Sequence, residues 1–336
     1  MSAHGIEISV VAPPGFHGPE GIPLVYAPIE SGSNPIQDLR AAAIVSRLAQ
    51  DADLIHGHGL RGAWIAHLAA RKSHKPYLFT AHNLAPESPG RLAGRLLRGV
   101  IQQASGIIAV SQAVAYSLVP HGASRDRVTV IPNGIDLSKF DRPRPRPQVL
   151  EELGLPQDCR LVAAAGRLSP EKGFATLIEA AAHAADEVTN AQFVIAGDGP
   201  EWERLAALSR SLGIDRRVHL PRRIEDIPSL FHAAVLVVVP SLLEGQGIVA
   251  LEAMGAGRPV VATNVGGLSE TIVAGVTGVL VKPGDPVELA AAIRALLNNA
   301  PNVRARMGAA GRARVEAMFT SERMTGHIVE LYRSLA

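Results

Sequence analysis

The 336-residue chain is poor in cysteine, in aromatic residues and in long apolar runs. With Cys159 as the lone thiol, an internal disulfide is impossible, and a reducing cytoplasm is the expected compartment. No apolar stretch approaches the roughly 20 residues that a membrane-spanning helix needs. The first ten residues show no basic segment followed by a long apolar core, so no secretory signal is expected. Aromatic residues at 4% leave little for base stacking, and no nucleic-acid module is recognisable, so nucleic acid is not an expected partner.

What is present suits a soluble α/β protein. At 47% hydrophobic and 19% charged, the composition supports two cores, and the length suits two domains. The net charge of +2 hides an asymmetry: residues 1–150 hold 15 Lys and Arg against 10 Asp and Glu. A basic first half suits an anionic acceptor or lipid surface. An ordinary solvated surface is the simpler reading.

Apolar runs alternate with helical patterns through the second half. Strands are predicted at 161–165, 193–196, 218–220, 235–239, 260–263 and 279–281. Helices are predicted near 174–185, 201–212, 227–233, 248–255, 269–274 and 286–297, with a last one over 321–335. This alternation predicts a parallel, doubly wound sheet. The first half is less regular, with strands predicted at 6–12, 24–26, 54–58, 78–81, 107–110 and 128–131. Between the halves, Asp141-Arg142-Pro143-Arg144-Pro145-Arg146-Pro147 alternates proline with arginine and is expected to be an extended linker. The domains are therefore drawn at residues 1–147 and 148–320, with 321–336 as a closing helix.

The segment Glu244-Gly245-Gln246-Gly247-Ile248-Val249-Ala250-Leu251-Glu252 follows the apolar run Val235–Val239. It puts two carboxylates and two glycines at a strand's C-terminal end, where open α/β sheets bind ligands and a new helix offers free N–H groups. Gly166-Arg167-Leu168-Ser169-Pro170-Glu171-Lys172-Gly173 repeats the layout with two cations. Paired cations and paired carboxylates at matching strand ends suit a ligand with a diphosphate at its centre and hydroxyl-rich sugars at both ends. A sugar nucleotide has that form.

At these residues the chain resembles the retaining glycosyltransferases of family 4. The resemblance extends to Thr80-Ala81-His82, Ile108-Ala109-Val110-Ser111, Ile131-Pro132-Asn133-Gly134-Ile135-Asp136, Gly197-Asp198-Gly199-Pro200 and the segment 278–285. It implies the GT-B fold, two facing Rossmann-like domains with parallel sheets and an interdomain cleft, and a closing helix that crosses back to the first domain. It also implies transfer of a hexose from a nucleotide-diphosphate sugar to an acceptor hydroxyl with retention, without metal or cofactor. The acceptor is expected to be a saccharide, a lipid-linked sugar or a small molecule. One departure stands out: Ser2-Ala3-His4-Gly5-Ile6-Glu7-Ile8-Ser9-Val10 resembles the end of the family's first helix and its second strand. The chain is therefore expected to lack the usual first strand, glycine-rich loop and first helix, leaving the neighbouring strands with unpaired edges.

The resemblance assigns Arg167 and Lys172 to the diphosphate, Glu244 to the donor sugar and Glu252 to the ribose hydroxyls. His82 is assigned to the donor sugar or transferring region. Gly245 and Gly247 allow the backbone to approach the donor, Ile248 is a further donor-binding candidate, and Gln246 stands where the family usually has phenylalanine. Asn133 and Gly199 are further candidates for ligand contact, with simple turns as their plainer reading. Arg222 stands where glycine is common. A metal site is not expected: Asp51-Ala52-Asp53 reads as a loop before a strand, and His56-Gly57-His58 lacks further ligands. Arg91, Arg95 and Arg98 fall on one helical face, which reads as solvated, with weak peripheral membrane contact as the alternative. A glycoside hydrolase, a GT-B-type epimerase and an inactive or truncated sugar-nucleotide-binding remnant are the rival readings.

Overall fold

The computed structural model describes residues 4–29, 34–185 and 187–335. The chain divides into two compact units, Met1–Pro132 with Met324–Ala336, and Asn133–Arg323. Ser2 and Ala3, at the start of the segment compared with the family's first helix, lie outside the described residues.

In the first unit, β1 (Val10–Ala12) pairs in parallel with β2 (Leu24–Tyr26). The chain then runs through α1 (Pro35–Leu48), β3 (Ile55–His58), α2 (Gly59–Ser73), β4 (Tyr77–Ala81), α3 (Arg91–Gln103), β5 (Gly106–Ala109), α4 (Gln112–Leu118) and β6 (Val128–Val130). Helix α1 starts where sequence chemistry asks for it: Asn34 caps the Gln37 N–H, and Pro35 needs no partner in the first turn. Strands β3 to β6 form one parallel sheet in chain order. Among the described residues, β1 and β3 each pair on one side only. Two facts seat β3 for function. A Cβ on Gly57 would lie 2.5 Å from the Gly62 carbonyl oxygen, so only glycine lets α2 come this close to the strand end. On the sheet's other side, Met324, Ile328 and Tyr332 pack with Leu78, Ile108 and Ile131.

The second unit runs α5 (Arg146–Glu152), β7 (Arg160–Ala165), α6 (Phe174–Ala184), β8 (Ala191–Ala196), α7 (Trp202–Ser211), β9 (Val218–His219), α8 (Ile227–Ala233), β10 (Leu236–Val239), α9 (Ile248–Gly255), β11 (Val260–Thr263), α10 (Leu268–Thr271), β12 (Gly278–Val281), α11 (Pro286–Asn298) and α12 (Pro301–Met318). Helix α13 (Ser321–Leu335) follows. The strands form one parallel sheet in the order β12-β11-β10-β7-β8-β9. Residues of β10 alternate between two cores: Val237 and Val239 belong to one, Leu236 and Val238 to the other. Burial on both faces explains the unbroken apolar runs in the sequence. From β7 the chain winds outward one way to β9, then returns to β10 beside β7 and winds the other way. Between β7 and β10 lies the topological switch point, where open sheets part to admit a ligand.

By compactness the units divide at Pro132/Asn133, whereas the sequence pattern draws the domains after Pro147, and the Pro-Arg segment lies in the second unit. Arg144 pairs with Asp226 at 2.9 Å and Glu152 at 2.5 Å, Arg146 donates to three backbone carbonyls, and α5 begins at Arg146 with Pro147 in its first turn. The 18-residue helix α12 was not among the predicted helices. Its buried residues are Gly308, Gly311 and Val315, and the two glycines meet Gly257 and Met254, so there is little apolar stripe to read.

Candidate active site

The two strand-end loops of the second unit are knitted together by backbone. After β7 the chain makes a short 3-10 turn, Pro170–Lys172, and Gly173 leaves it at φ +65°. A Cβ there would lie 2.0 Å from the Pro240 carbonyl oxygen just beyond β10. The Leu242 N–H also donates to the Glu171 carbonyl at 2.8 Å. Glycine at 173 is thus needed twice, for the left-handed turn and for the close approach.

This knitting brings Lys172 and Glu244 into contact. Lys172 Nζ lies 2.7 Å from Glu244 Oε2, and Ser241 Oγ donates to the same oxygen at 3.1 Å. Glu244 keeps only 13% of its side-chain exposure, against 28% for Lys172. Arg167 is exposed on the same loop, and its guanidinium makes no hydrogen bond or ion pair with described residues. Glu252 sits one turn into α9, half-buried, with no side-chain hydrogen bond among the described residues. Burial pushes its carboxyl above the usual range, partly offset by Lys139. A desolvated carboxylate with unused lone pairs is primed for hydroxyl donors.

Gly247, at φ +91°, turns the chain into α9, and a Cβ there would meet Leu268 at 2.4 Å. Ile248, first residue of α9, is 47% exposed. Gly245 lies in the loop between Glu244 and Gln246. Gln246 is buried, and its amide is spent on Asn133: Oε1 accepts from Asn133 N at 2.6 Å and from Nδ2 at 2.8 Å, while Nε2 donates to the Asn133 carbonyl at 3.2 Å. At Gly199 a Cβ would lie 2.3 Å from the Leu168 carbonyl oxygen, so backbone packing alone requires glycine there. Arg222 is one of two non-glycine residues with positive φ among those described, at +58°, which accounts for glycine being common there. Its guanidinium stacks 4.2 Å from the Trp202 ring centre and reaches Asp198 at 3.1 Å.

In the first unit, His82 follows β4. Its Nε2 lies 3.0 Å from Nδ1 of His58, and the rings of His56, His58 and His82 form a column with centres 4.4 and 5.3 Å apart. His56 is held by Tyr332 Oη at 2.5 Å and Thr80 Oγ1 at 2.8 Å. Burial, with the charges of its two neighbours, pulls His56 down to about 3. Desolvation within the column lowers His58, and burial and His58 lower His82. Stacked imidazoles cannot all carry charge, so the column is neutral near pH 7. Among the described residues no cluster of three or more His, Cys, Asp or Glu suits a metal ion. Sequence reading gave His58 little weight and missed the ties of His56 to Tyr332 and of Gln246 to Asn133. Contacts 276 and 113 residues apart leave no local signal.

Arg91, Arg95 and Arg98 line a hollow of about 520 Å³ on α3 together with His121. It belongs to a helix face of the first unit, not to the strand ends that carry the paired charges. No helix among the described residues is long and apolar enough to cross a membrane.

Comparison with known proteins agrees with this layout. The family model for glycosyl transferases group 1 matches residues 145–314, and that for glycosyltransferase family 4 matches residues 1–139. A D-inositol 3-phosphate glycosyltransferase of Mycobacterium tuberculosis is 35% identical over 302 residues, which are 84% of this chain and 61% of that protein. The chain thus spans about three-fifths of the length of the curated relatives it matches. Among solved structures, HepE of Anabaena in complex with UDP-glucose has a TM-score of 0.84 at 27% identity, covering 94% of this chain and 86% of that one. Sucrose-phosphate synthase of Thermosynechococcus elongatus has a TM-score of 0.86 at 25% identity, covering 99% and 90%. The paired charges at the switch point, the parallel sheets of both units and these matches lead to one identification: the chain belongs to the group 1 glycosyl transferases and has the GT-B fold.

Proposed function

We propose that the chain transfers a hexosyl group from a nucleotide-diphosphate sugar to an acceptor hydroxyl, with retention and without a metal ion or cofactor. The observation that carries this reading is the contact of Lys172 with Glu244 at the switch point, with Arg167 and the desolvated Glu252 on the same pair of strand ends. Breaking the bond from the anomeric carbon to the diphosphate builds negative charge on the leaving oxygen. Arg167 and Lys172 supply fixed positive charge where it grows. As the diphosphate takes Lys172, Glu244 is released to accept from the sugar's hydroxyls, and Glu252 accepts from both ribose hydroxyls. His82, lowered by burial and by His58, is read from the family resemblance as a hydrogen-bonding partner of the transferred sugar. No side chain in the reading serves as nucleophile; the departing phosphate accepts the proton of the incoming hydroxyl on the same face. The M. tuberculosis relative's name points to a cyclitol phosphate acceptor, and the HepE complex to a uridine nucleotide, as the first candidates to try. A cytoplasmic setting, with weak peripheral contact at the inner face of a membrane through the arginines of α3, fits the same scheme.

The test is a thermal-shift panel of UDP-, GDP- and ADP-sugars, followed by turnover with polyol acceptors and NMR of the product anomer, with and without EDTA. One donor is expected to stand out, with a retained product and undiminished rate in EDTA. Inverted product, or sugar released from a simple glycoside without any nucleotide, would refute the scheme.

A further inference from the structure

Gln246 and Asn133 are 113 residues apart in the chain, yet they share three hydrogen bonds. Gln246 is 4% exposed, so its amide is closed to solvent and directed at one partner. The orientation of both amides follows from the backbone. Asn133 N is a donor, so the Gln246 atom 2.6 Å away is the oxygen. The Asn133 carbonyl is an acceptor, so the Gln246 atom 3.2 Å away is the nitrogen. Because Gln246 Oε1 also faces the Asn133 side chain at 2.8 Å, the group it meets there must be Nδ2. Asn133 Oδ1 is therefore turned to the other side. It has no hydrogen-bond partner among the described residues, and Asn133 is only half-buried.

The Gln246 backbone is anchored as well, its carbonyl accepting from the buried Thr271 hydroxyl at 3.1 Å. Glu244, two residues earlier, is tied through its own carbonyl to the Gly267 N–H at 3.3 Å. The loop bearing Glu244 and Gly247 is thus a fixed frame, and the Gln246 amide projects from it to set the rotamer of Asn133.

We propose that Gln246 is a positioning residue which locks the Asn133 carboxamide so that Oδ1 accepts a hydrogen bond from a hydroxyl or N–H of the nucleotide sugar. This rests on the donor reading given above and narrows it. Oδ1 is an acceptor only, and so are the oxygens of an ionised diphosphate, so Asn133 Oδ1 does not serve the phosphates. Its ligand is a sugar hydroxyl, a ribose hydroxyl or a base N–H. A phenylalanine at 246 would supply neither the acceptor nor the donor of the lock.

Isothermal titration of the full chain tests this with UDP-glucose, GDP-mannose, ADP-glucose and inorganic pyrophosphate as probes. The variants are Gln246→Met, Asn133→Ala and the two combined. The wild type is expected to bind one nucleotide sugar. Each single variant should weaken that binding by ~10-fold, as for one lost hydrogen bond with a group left unpaired. The double variant should lose no more than either single one, and pyrophosphate binding should stay within about twofold throughout, since the lock does not touch it. Unchanged sugar-nucleotide binding in Q246M, additive losses, or an equal loss of pyrophosphate binding would each overturn the lock, the last by pointing to collapse of the loop. If Q246M fails to fold, N133A decides alone by the same contrast between sugar nucleotide and pyrophosphate. Failure of the wild type to bind any of the three nucleotide sugars would overturn the donor reading itself, a result distinct from normal wild-type binding that the variants leave unchanged.

Discussion

On the proposed reading, Lys172 and Glu244 exchange their contacts within the fold for contacts with the donor, which Glu252 also contacts. A partly exposed ion pair such as Lys172–Glu244 contributes on the order of 1 kcal/mol. One preorganised donor at a developing oxyanion supplies about 3 kcal/mol, so exchange of the carboxylate for a diphosphate favours turnover. Lys172→Ala is expected to lower kcat/KM by ~100- to 1000-fold in a donor-dependent assay. Glu252 makes a second, opposite-signed prediction. Its carboxyl is raised by burial, so the fold favours the protonated form. The stability it allows is full below the unfolded carboxyl range and is lost as pH rises through the folded value. Glu252→Gln should therefore raise the unliganded melting temperature at pH 7 while weakening donor binding, as thermal unfolding with and without nucleotide sugar will report. The identity of these charges could be read from sequence, because charge type and spacing are local properties. Their partners could not: Lys172 and Glu244 lie 72 residues apart, and the pairing of β7 with β10, the turn at Gly173 and the Leu242–Glu171 backbone bond bring them together.

At the scale of elements, glycine sets how closely segments approach. Strands of the second sheet were readable as apolar runs because burial on both faces admits little else. Helix α12 was not, since a Cβ on Gly308 would fall 2.0 Å from the Gly257 carbonyl oxygen and Gly311 meets Met254 at 3.1 Å. Gly308→Ala is expected to destabilise the second unit by about 3 kcal/mol or more, because backbone rather than a flexible side chain must yield. Urea unfolding monitored by the second unit's Trp202 would measure it. The Pro-Arg segment misled in the opposite way. Pro145 is extended, at φ −57° and ψ 135°, but the segment reads as a linker, whereas Arg144 and Arg146 are bonded to the second unit. In the first unit, the histidine column gives acid pH a specific target. His56 stays neutral in the fold down to about 3, whereas it charges near 6.5 when unfolded. Stability is therefore present above pH 6.5 and declines as pH falls toward 3, and His56→Asn should flatten that decline in denaturant titrations across the same window.

For the whole molecule, the proposed donor, bound by the second unit, would add stability only to what it binds. At a hundred times its Kd a donor stabilises by about 2.7 kcal/mol, so calorimetry should show the transition of Asn133–Arg323 moving up on donor addition. The sequence by itself determined the class of architecture, the parallel sheets and the charges available for chemistry, because periodicity, apolar runs and residue types are written locally. The boundary at Pro132/Asn133, the seating of β7 beside β10, the Lys172–Glu244 contact and the Gln246–Asn133 lock were decided by tertiary structure. Each of these depends on which distant segments glycine and backbone hydrogen bonding allow to touch, and a linear pattern carries no record of that.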